Sequence, residues 1–148
     1  MKVKLCGLLL VIFFYAPQAY AETGVRIGLI QTLKGSATIQ RGGQALAAAP
    51  GGEVYRGDLI QTAKGSAMGV VLEDDTTISM GAESEFIITE CDFFPKEGRF
   101  SLVLRMLKGT FSYISGIMAK LAPEAVRLEI PDGTIAVRGT KLLVDVRE

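Results

Sequence analysis

The octapeptide IQTAKGSA (residues 60–67) decides which kind of fold to expect, because a near copy, IQTLKGSA (residues 30–37), lies thirty positions earlier. Seven of the eight residues agree. A solenoid would need about three units with a sustained period. Here the match stops, since TIQRGGQ follows the first copy and MGVVLED follows the second. We therefore interpret the octapeptides as one local corner used twice: Thr at a strand end, a Lys-Gly-Ser turn, then Ala opening the next strand.

The segments around these corners alternate between apolar and polar residues, which is typical of short β-strands. AMGVVLEDDTTISM (residues 67–80) predicts a hairpin with an acidic turn, and PKEG (residues 95–98) predicts a second hairpin. GIMAKL (residues 116–121) predicts a single short helix. We expect one all-β domain over residues 22–148, either a compact sandwich of two packed sheets or a rolled sheet with short solenoid-like rungs.

The predicted core consists of apolar residues that share the inward faces of these strands. They are Val71, Ile78, Phe86, Leu102, Leu104, Phe111, Leu128, Val137 and Val144.

The first residues have the order of a secretory signal peptide. Lys2 and Lys4 precede an apolar run (residues 5–16), and Ala19-Tyr20-Ala21 forms a small-x-small cleavage site. We expect residues 1–21 to be removed, the mature chain to begin at Glu22, and the protein to be periplasmic or secreted. The apolar run is shorter than the roughly 20 residues of a membrane span. We therefore expect no span after cleavage, and a single-pass anchor is the alternative if cleavage fails.

The composition excludes several kinds of chemistry. The chain has no His, which removes the commonest general base and the commonest metal ligand. Without the signal peptide Cys91 is alone, so we expect no internal disulfide, and a buried, inert thiol is favoured over one available to another molecule. The acidic turn at residues 73–75 lacks the ligand spacing of a calcium loop and is expected to be solvated. We expect no catalytic, cofactor-binding or metal-binding residues, no cofactor, and no enzyme activity.

The segment PDGTIAVRGTKLLVDV (residues 131–146) contains the residue of greatest interest, Arg138. It can serve as a ligand for an acidic partner, or it can hold a carboxylate or turn carbonyls within the domain. We favour the structural role and expect Arg138 to be partly buried, with Asp58 as its acid. Asp58 also ends an RGD tripeptide (residues 56–58), for which a tight turn is favoured over a cell-adhesion motif.

Four segments, taken together and in order, resemble the FecR domain. They are KGSATIQRGGQ, YRGDLIQTAKGSAMGVVLEDDTTISM, LKGTFSYIS and PDGTIAVRGTKLLVDV, and the resemblance extends over residues 28–146. The positions that carry it, as a structural motif, are Gly57, Asp58, Thr62, Gly109, Arg138, Gly139 and Thr140.

The resemblance implies an extracytoplasmic β-domain. In signalling members of the family this domain follows a cytoplasmic anti-sigma segment and a membrane helix, and we expect neither here. We therefore expect a non-enzymatic interaction module in envelope signalling or assembly, which binds a protein or an envelope polymer through strand edges and loops. The alternative is a structural, polymer-binding component of the envelope, and a cell-wall hydrolase, which would need a carboxylate pair set in a cleft, is the third reading. Glu83 and Glu85 could imitate such a pair, but outward acids on a strand are ordinary. The near-neutral charge indicates no nucleic-acid partner, and the oligomeric state stays open.

Overall fold

The computed structural model describes residues 24–139 and 141–147, so the predicted signal peptide and Thr140 lie outside the described residues. The described part forms one curled, half-barrel sheet of twelve strands with one short α-helix. The strands are β1 (Arg26–Lys34), β2 (Ala37–Arg41), β3 (Gln44–Ala47), β4 (Glu53–Tyr55), β5 (Leu59–Thr62), β6 (Ala67–Leu72), β7 (Thr77–Met80), β8 (Glu85–Phe94), β9 (Arg99–Ile114), β10 (Val126–Ile130), β11 (Gly133–Ala136) and β12 (Lys141–Val146). The helix is α1 (Ile117–Leu121), and two 3-10 turns occupy Pro95–Glu97 and Pro123–Ala125. No helix within these described residues is long and apolar enough to cross a bilayer.

The longest strand, β9, organises the sheet. Its 16 residues pair with β8 and then β7 along one edge, and the ladder with β8 has two register shifts, at residues 85–86 and 88–90. Along the other edge they pair with β10 and β12. The pairing of β9 with β10 is parallel, whereas the other described pairings are antiparallel. Four strands therefore depend on β9 for their place in the sheet.

The sheet is built from four long bent arms that lie side by side. The first arm is β1 with β2, the second is β5 with β6, the third is β7 with β8, and the fourth is β9 itself. Each arm pairs with the next in both of its parts: β2 with β5 and β1 with β6, then β5 with β8 and β6 with β7. Every arm bends at about the same level, so the one sheet folds into two facing halves.

The bends of the four arms form a row, which we call the corner line: residues 35–36, 63–66, 81–84 and 109. Neighbouring corners are hydrogen-bonded to one another. Ser36 N donates to Ser66 Oγ at 3.0 Å, and Ala63 N donates to Ser36 O at 3.0 Å. The two octapeptide corners therefore lie next to each other in the sheet, and they share a local geometry in which Gly35 and Gly65 have positive φ. The predicted strand end at Thr is confirmed for Thr62, the last residue of β5, but it is wrong for Thr32, because β1 continues to Lys34. The two copies therefore share the bend at the glycine and differ in the residues before it.

The core fills the concave side between the two halves. Phe86 from one half and Phe111 from the other meet edge to face, with ring centroids 6.1 Å apart. Eight of the nine predicted core residues are buried, and Val71 is not. Met68, Val70 and Leu72 occupy the inward face of β6, so Val71 points outward and is half-buried. Because Val70 and Val71 are both apolar, the alternation does not show which of them faces the core, and the prediction placed the wrong valine inward.

The prediction of an all-β fold with one short helix is confirmed, and the observed arrangement is the rolled sheet. Both predicted hairpins are present, between β6 and β7 and between β8 and β9. The helix lies where GIMAKL predicted it.

Gly35→Ala and Gly65→Ala make a matched pair of variants that tests the corner line. Both glycines have positive φ, so each alanine should destabilise by about 1 kcal/mol. A Cβ at Gly65 has nothing within 4 Å, whereas one at Gly35 would press on Ser66, whose Cβ would lie at 3.0 Å. We expect Gly35→Ala to be the more destabilising by a further 1–3 kcal/mol or so, from overpacking. Urea unfolding of both variants measures the difference, and equal losses would contradict the described packing of the two corners.

Candidate functional site

The corner line is centred on Ser84, a fully buried polar residue. Thr62 Oγ1 donates to Gly81 O at 2.6 Å and accepts from Ser84 N at 3.0 Å. Ser84 Oγ in turn accepts from Thr110 N at 3.1 Å, directly after the bend at Gly109, where φ is +98°. A Cβ at Gly109 would lie 2.6 Å from Ser84 Cα, so only glycine fits beside this serine. Two of the motif residues, Thr62 and Gly109, thus act by holding the bends of adjacent arms together.

A shallow groove of about 380 Å³, lined mostly by residues with polar or charged side chains, runs along the outer surface beside these bends, and we call it the corner groove. One residue from each of four paired strands lies along it, in the order Thr38, Gln61, Glu85 and Lys108. Gln61 Nε2 donates to Glu85 Oε1 at 3.0 Å. Lys64 and Glu83 complete a lining of mixed charge, which suits a polar, uncharged or zwitterionic ligand better than a strongly charged one.

Asp58 forms a buried ion pair with Arg41, a residue that the sequence analysis did not single out. Arg41 Nε donates to Asp58 Oδ1 at 2.9 Å, and Nη2 donates to Oδ2 at 2.8 Å. Tyr55 N also donates to Oδ2 at 2.9 Å, and the Arg41 guanidinium lies 4.2 Å from the centroid of the Tyr55 ring. The side chain of Asp58 is only 1% exposed. This pair fixes the turn that leads from β4 into β5.

The RGD tripeptide lies in the turn at residues 55–58, where the predicted tight turn is present. Gly57 has a φ of +85°, and Asp58 N donates to Tyr55 O at 3.2 Å. Because the Asp58 carboxylate is buried against Arg41, it is not presented to another molecule.

The expectation that Arg138 is partly buried and pairs with Asp58 is wrong. Its side chain is exposed, and the carboxylate of Asp58 is held by Arg41 instead. The physical reason is the early end of β11, at Ala136: Arg138 lies in the exposed connection to β12, outside the regular alternation of the strand. Gly139 lies in the same connection, where its carbonyl accepts from Ser115 Oγ at 2.7 Å. The prediction for Thr140 falls on a residue outside the described part.

The acidic turn is only partly solvated, which corrects a second expectation. Glu73 and Asp75 are exposed, but Asp74 is 1% exposed. Its carboxylate accepts from Thr76 N at 3.0 Å, from Thr76 Oγ1 at 2.9 Å and from Met118 N at 3.2 Å. Asp74 therefore fixes the start of α1 against the hairpin. Its spacing to Thr76, Asp-x-Thr, is a local hydrogen-bonding pattern that could have indicated an inward-facing turn.

The free edge of β12 is the most exposed apolar feature of the described sheet. β12 pairs only with β9, so its other edge has no strand partner among the described residues. Leu143 is 73% exposed on the outer face, between Lys141 and Asp145. Beside it, Ser79, Gly81, Thr110 and Ser112 form the floor of a trough of about 450 Å³. Because these floor residues are small, Leu143 stands above the surface around it.

Cys91 is the one free thiol of the described residues, and it is buried in the core. Burial raises its pKa from 9.0 to about 12, and the nearby carboxylates of Asp74, Glu73 and Asp92 act in the same direction. The expectation of a buried thiol is therefore confirmed. Within the same described ranges, no group of three or more acidic, His or Cys side chains is placed to hold a metal ion.

The family model described as FecR protein matches residues 58–148, which is more than half of the chain. The matched range contains β5 to β12 and six of the seven motif residues, while Gly57 and Arg41 precede it. The resemblance inferred from the sequence motifs is thereby confirmed. No curated protein and no solved structure was found to match the chain.

Arg41→Ala should destabilise the domain by about 3 kcal/mol, because it leaves the buried carboxylate of Asp58 without its cation. Arg41→Lys should recover only part of this loss, since an ammonium cannot make two parallel N–H bonds. The matched control is Arg138→Ala, an exposed arginine whose loss should change stability by less than about 0.5 kcal/mol. Chemical denaturation measures all three, and a larger loss for Arg138→Ala than for Arg41→Ala would reverse the assignment.

Cys91 should not react with Ellman's reagent at pH 8 in the folded protein, because its raised pKa keeps the buried thiol protonated. In guanidinium chloride it should react fully, and a Cys6→Ser background makes the readout specific. Rapid labelling of the folded protein at pH 8 would contradict the buried site.

The pKa of Cys91 in the folded state lies above the unfolded value of 9.0, so the stability contributed by the neutral thiol is complete below pH 9 and is lost as the pH rises towards 12. Cys91→Ala should therefore lose less stability than the parent protein between pH 9 and 11. Chemical denaturation of both proteins across this pH range measures the difference, and equal losses would contradict the raised pKa.

Proposed function

Because the chain belongs to the FecR family, whose domain is of the extracytoplasmic type, we propose that it acts in the periplasm or as a secreted protein. There it serves as a non-enzymatic interaction module in envelope signalling or assembly. Family membership is consistent with an interaction role connected with signalling. The free edge of β12 carries the proposal.

The β12 edge supports binding of an extended segment from a protein partner. An unpaired edge offers backbone donors and acceptors to an added strand, and neighbouring side chains then give specificity. β12 has six residues, whereas the other edge strands, β3, β4 and β11, have three or four. Leu143 provides an apolar contact next to the trough on β7 and β9. A partner strand along β12 would cover this leucine and continue the sheet.

The non-enzymatic part of the proposal is supported by the chemistry of the side chains that could react. The thiol of Cys91 is buried and its raised pKa disfavours the thiolate, so it is a poor nucleophile. Of the two carboxylates in the corner groove, Glu85 already accepts a hydrogen bond from Gln61. Both lie in a shallow surface groove, which is a poor environment for a proton-transfer pair.

A photo-crosslinking residue in place of Leu143 should give discrete adducts with one envelope protein when the protein is exported in cells. The matched control is the same residue at Ala45, which is exposed on the shorter β3 edge. Mass spectrometry should place the crosslink in one extended segment of the partner. Adducts that are equally frequent from positions 45 and 143, or no adduct from 143, would contradict a binding role for β12.

A second candidate function, polymer binding in the envelope, is favoured by the corner groove. Its row of Thr38, Gln61, Glu85 and Lys108 offers polar groups across adjacent strands, as a hydroxyl-rich or amide-rich polymer would require. Co-sedimentation with purified peptidoglycan separates the two candidates. Binding that is lost in Gln61→Ala and kept in Leu143→Asp would support the polymer, since Gln61 lies in the groove and Leu143 lies outside it.

A further inference from the structure

We propose that the β12 edge binds the β12 edge of a second copy of this chain, as two antiparallel strands related by a two-fold axis at Leu143. The inference rests on the interaction role proposed above and identifies the partner strand. Such a pair would join the two sheets into one continuous sheet across the dimer.

The first support is the charge pattern on the outer face of β12. Lys141, Leu143 and Asp145 share this face and are exposed. In an antiparallel pair centred on Leu143, each Lys141 stands opposite the Asp145 of the other copy, and the two leucines meet at the axis. Opposite charges directly across an antiparallel pair stabilise it, whereas like charges destabilise it. The strand is therefore complementary to itself in this one register.

The second support is the apolar content that this register brings together. Leu143 is the most exposed of the large hydrophobic residues that the structure describes, and in the pair it is covered by its own counterpart. On the inner face, Leu142 stands opposite Val144 of the other copy, and both residues already pack on or in the core. The cores of the two copies would thus approach each other beneath the shared strands.

A shift of the register by one step removes the complementarity. If one strand slides by two residues relative to the other, Asp145 stands opposite Leu143 of the other copy. Lys141 then stands opposite a residue beyond the end of β12, where no carboxylate compensates its charge. Within the described residues Lys141 makes no ion pair, while Asp145 has a surface contact with Arg147 at 2.8 Å, between side chains that are 44% and 86% exposed. An exposed pair of this kind contributes little, so it does not prevent Asp145 from binding a lysine of another copy.

A charge exchange tests the register. The protein is purified after export in a Cys6→Ser background, and its mass is followed by sedimentation velocity over a range of concentrations. The parent chain should dimerise, and Lys141→Asp or Asp145→Lys alone should raise the dimer Kd at least tenfold. The double variant Lys141→Asp/Asp145→Lys should restore dimerisation, because the exchanged charges again face each other. Lys96→Asp, an equal charge change in the exposed turn between β8 and β9, should leave the Kd within about threefold, because β12 pairs with the other end of β9.

A cysteine at the axis gives an independent readout. Leu143→Cys should form a disulfide-linked dimer with itself, because each residue 143 faces its counterpart, whereas Lys141→Cys should crosslink with Asp145→Cys and not with itself. Cys91 does not interfere, since it is buried. A parent chain that stays monomeric at high concentration, or a double variant that fails to recover, would overturn the self-association. If Leu143 then still crosslinks to another envelope protein, the interaction role stands and the second copy is excluded as its partner; if Leu143 crosslinks to nothing, both fail.

Discussion

The hydrogen bonds of Ser84 with its neighbours are the constraint on which the rest of the fold depends. They occur where four long arms bend at the same level, and they join the third arm to the second through Thr62 and to the fourth through Thr110. Since each arm belongs to both halves of the sheet, a bend that shifted along the chain would change the register in both halves together. A shift by one residue would turn the inward face outward. The buried hydroxyls of Thr62 and Ser84 therefore help to hold the register that places the apolar residues in the core.

Much of the secondary structure follows from local patterns. The alternation in VRLEI (residues 126–130) predicts Val126, Leu128 and Ile130 inward; the first two are buried, and Ile130 is half-buried against the core. The turns of the two hairpins were recognisable because Asp-Asp and Pro-Lys-Glu-Gly are local signals. Val71 shows the limit of the same reasoning, since two adjacent valines give no phase. The interpretation of the octapeptides as corners needed only the observation that the similarity ends at Ala37 and Ala67.

The contacts between distant segments were much harder to predict. Arg41 and Asp58 meet because β2 and β5 are neighbours, and nothing in the sixteen positions between them indicates that pairing. Arg138 attracted attention because it lies in a family motif, but a motif does not reveal where a strand ends. Asp74 was expected in solvent, yet it binds a helix 44 positions away. For Arg41 and Asp74 the deciding information was which distant segments become neighbours, and for Arg138 it was where β11 ends. The alternation of a single strand contains neither.

The order in which β9 obtains its partners has a consequence for how the protein is made. β7 and β8 precede β9 and are joined to it through the turn Pro95–Glu97, so one edge can pair as soon as β9 emerges during synthesis or export. The other edge must wait for β10 and β12, which follow α1 in the chain. During that interval a sixteen-residue strand presents unpaired backbone, longer than any edge of the finished sheet as described. Aggregation and the need for a chaperone should therefore be greatest in this interval, before the C-terminal strands have closed the second edge.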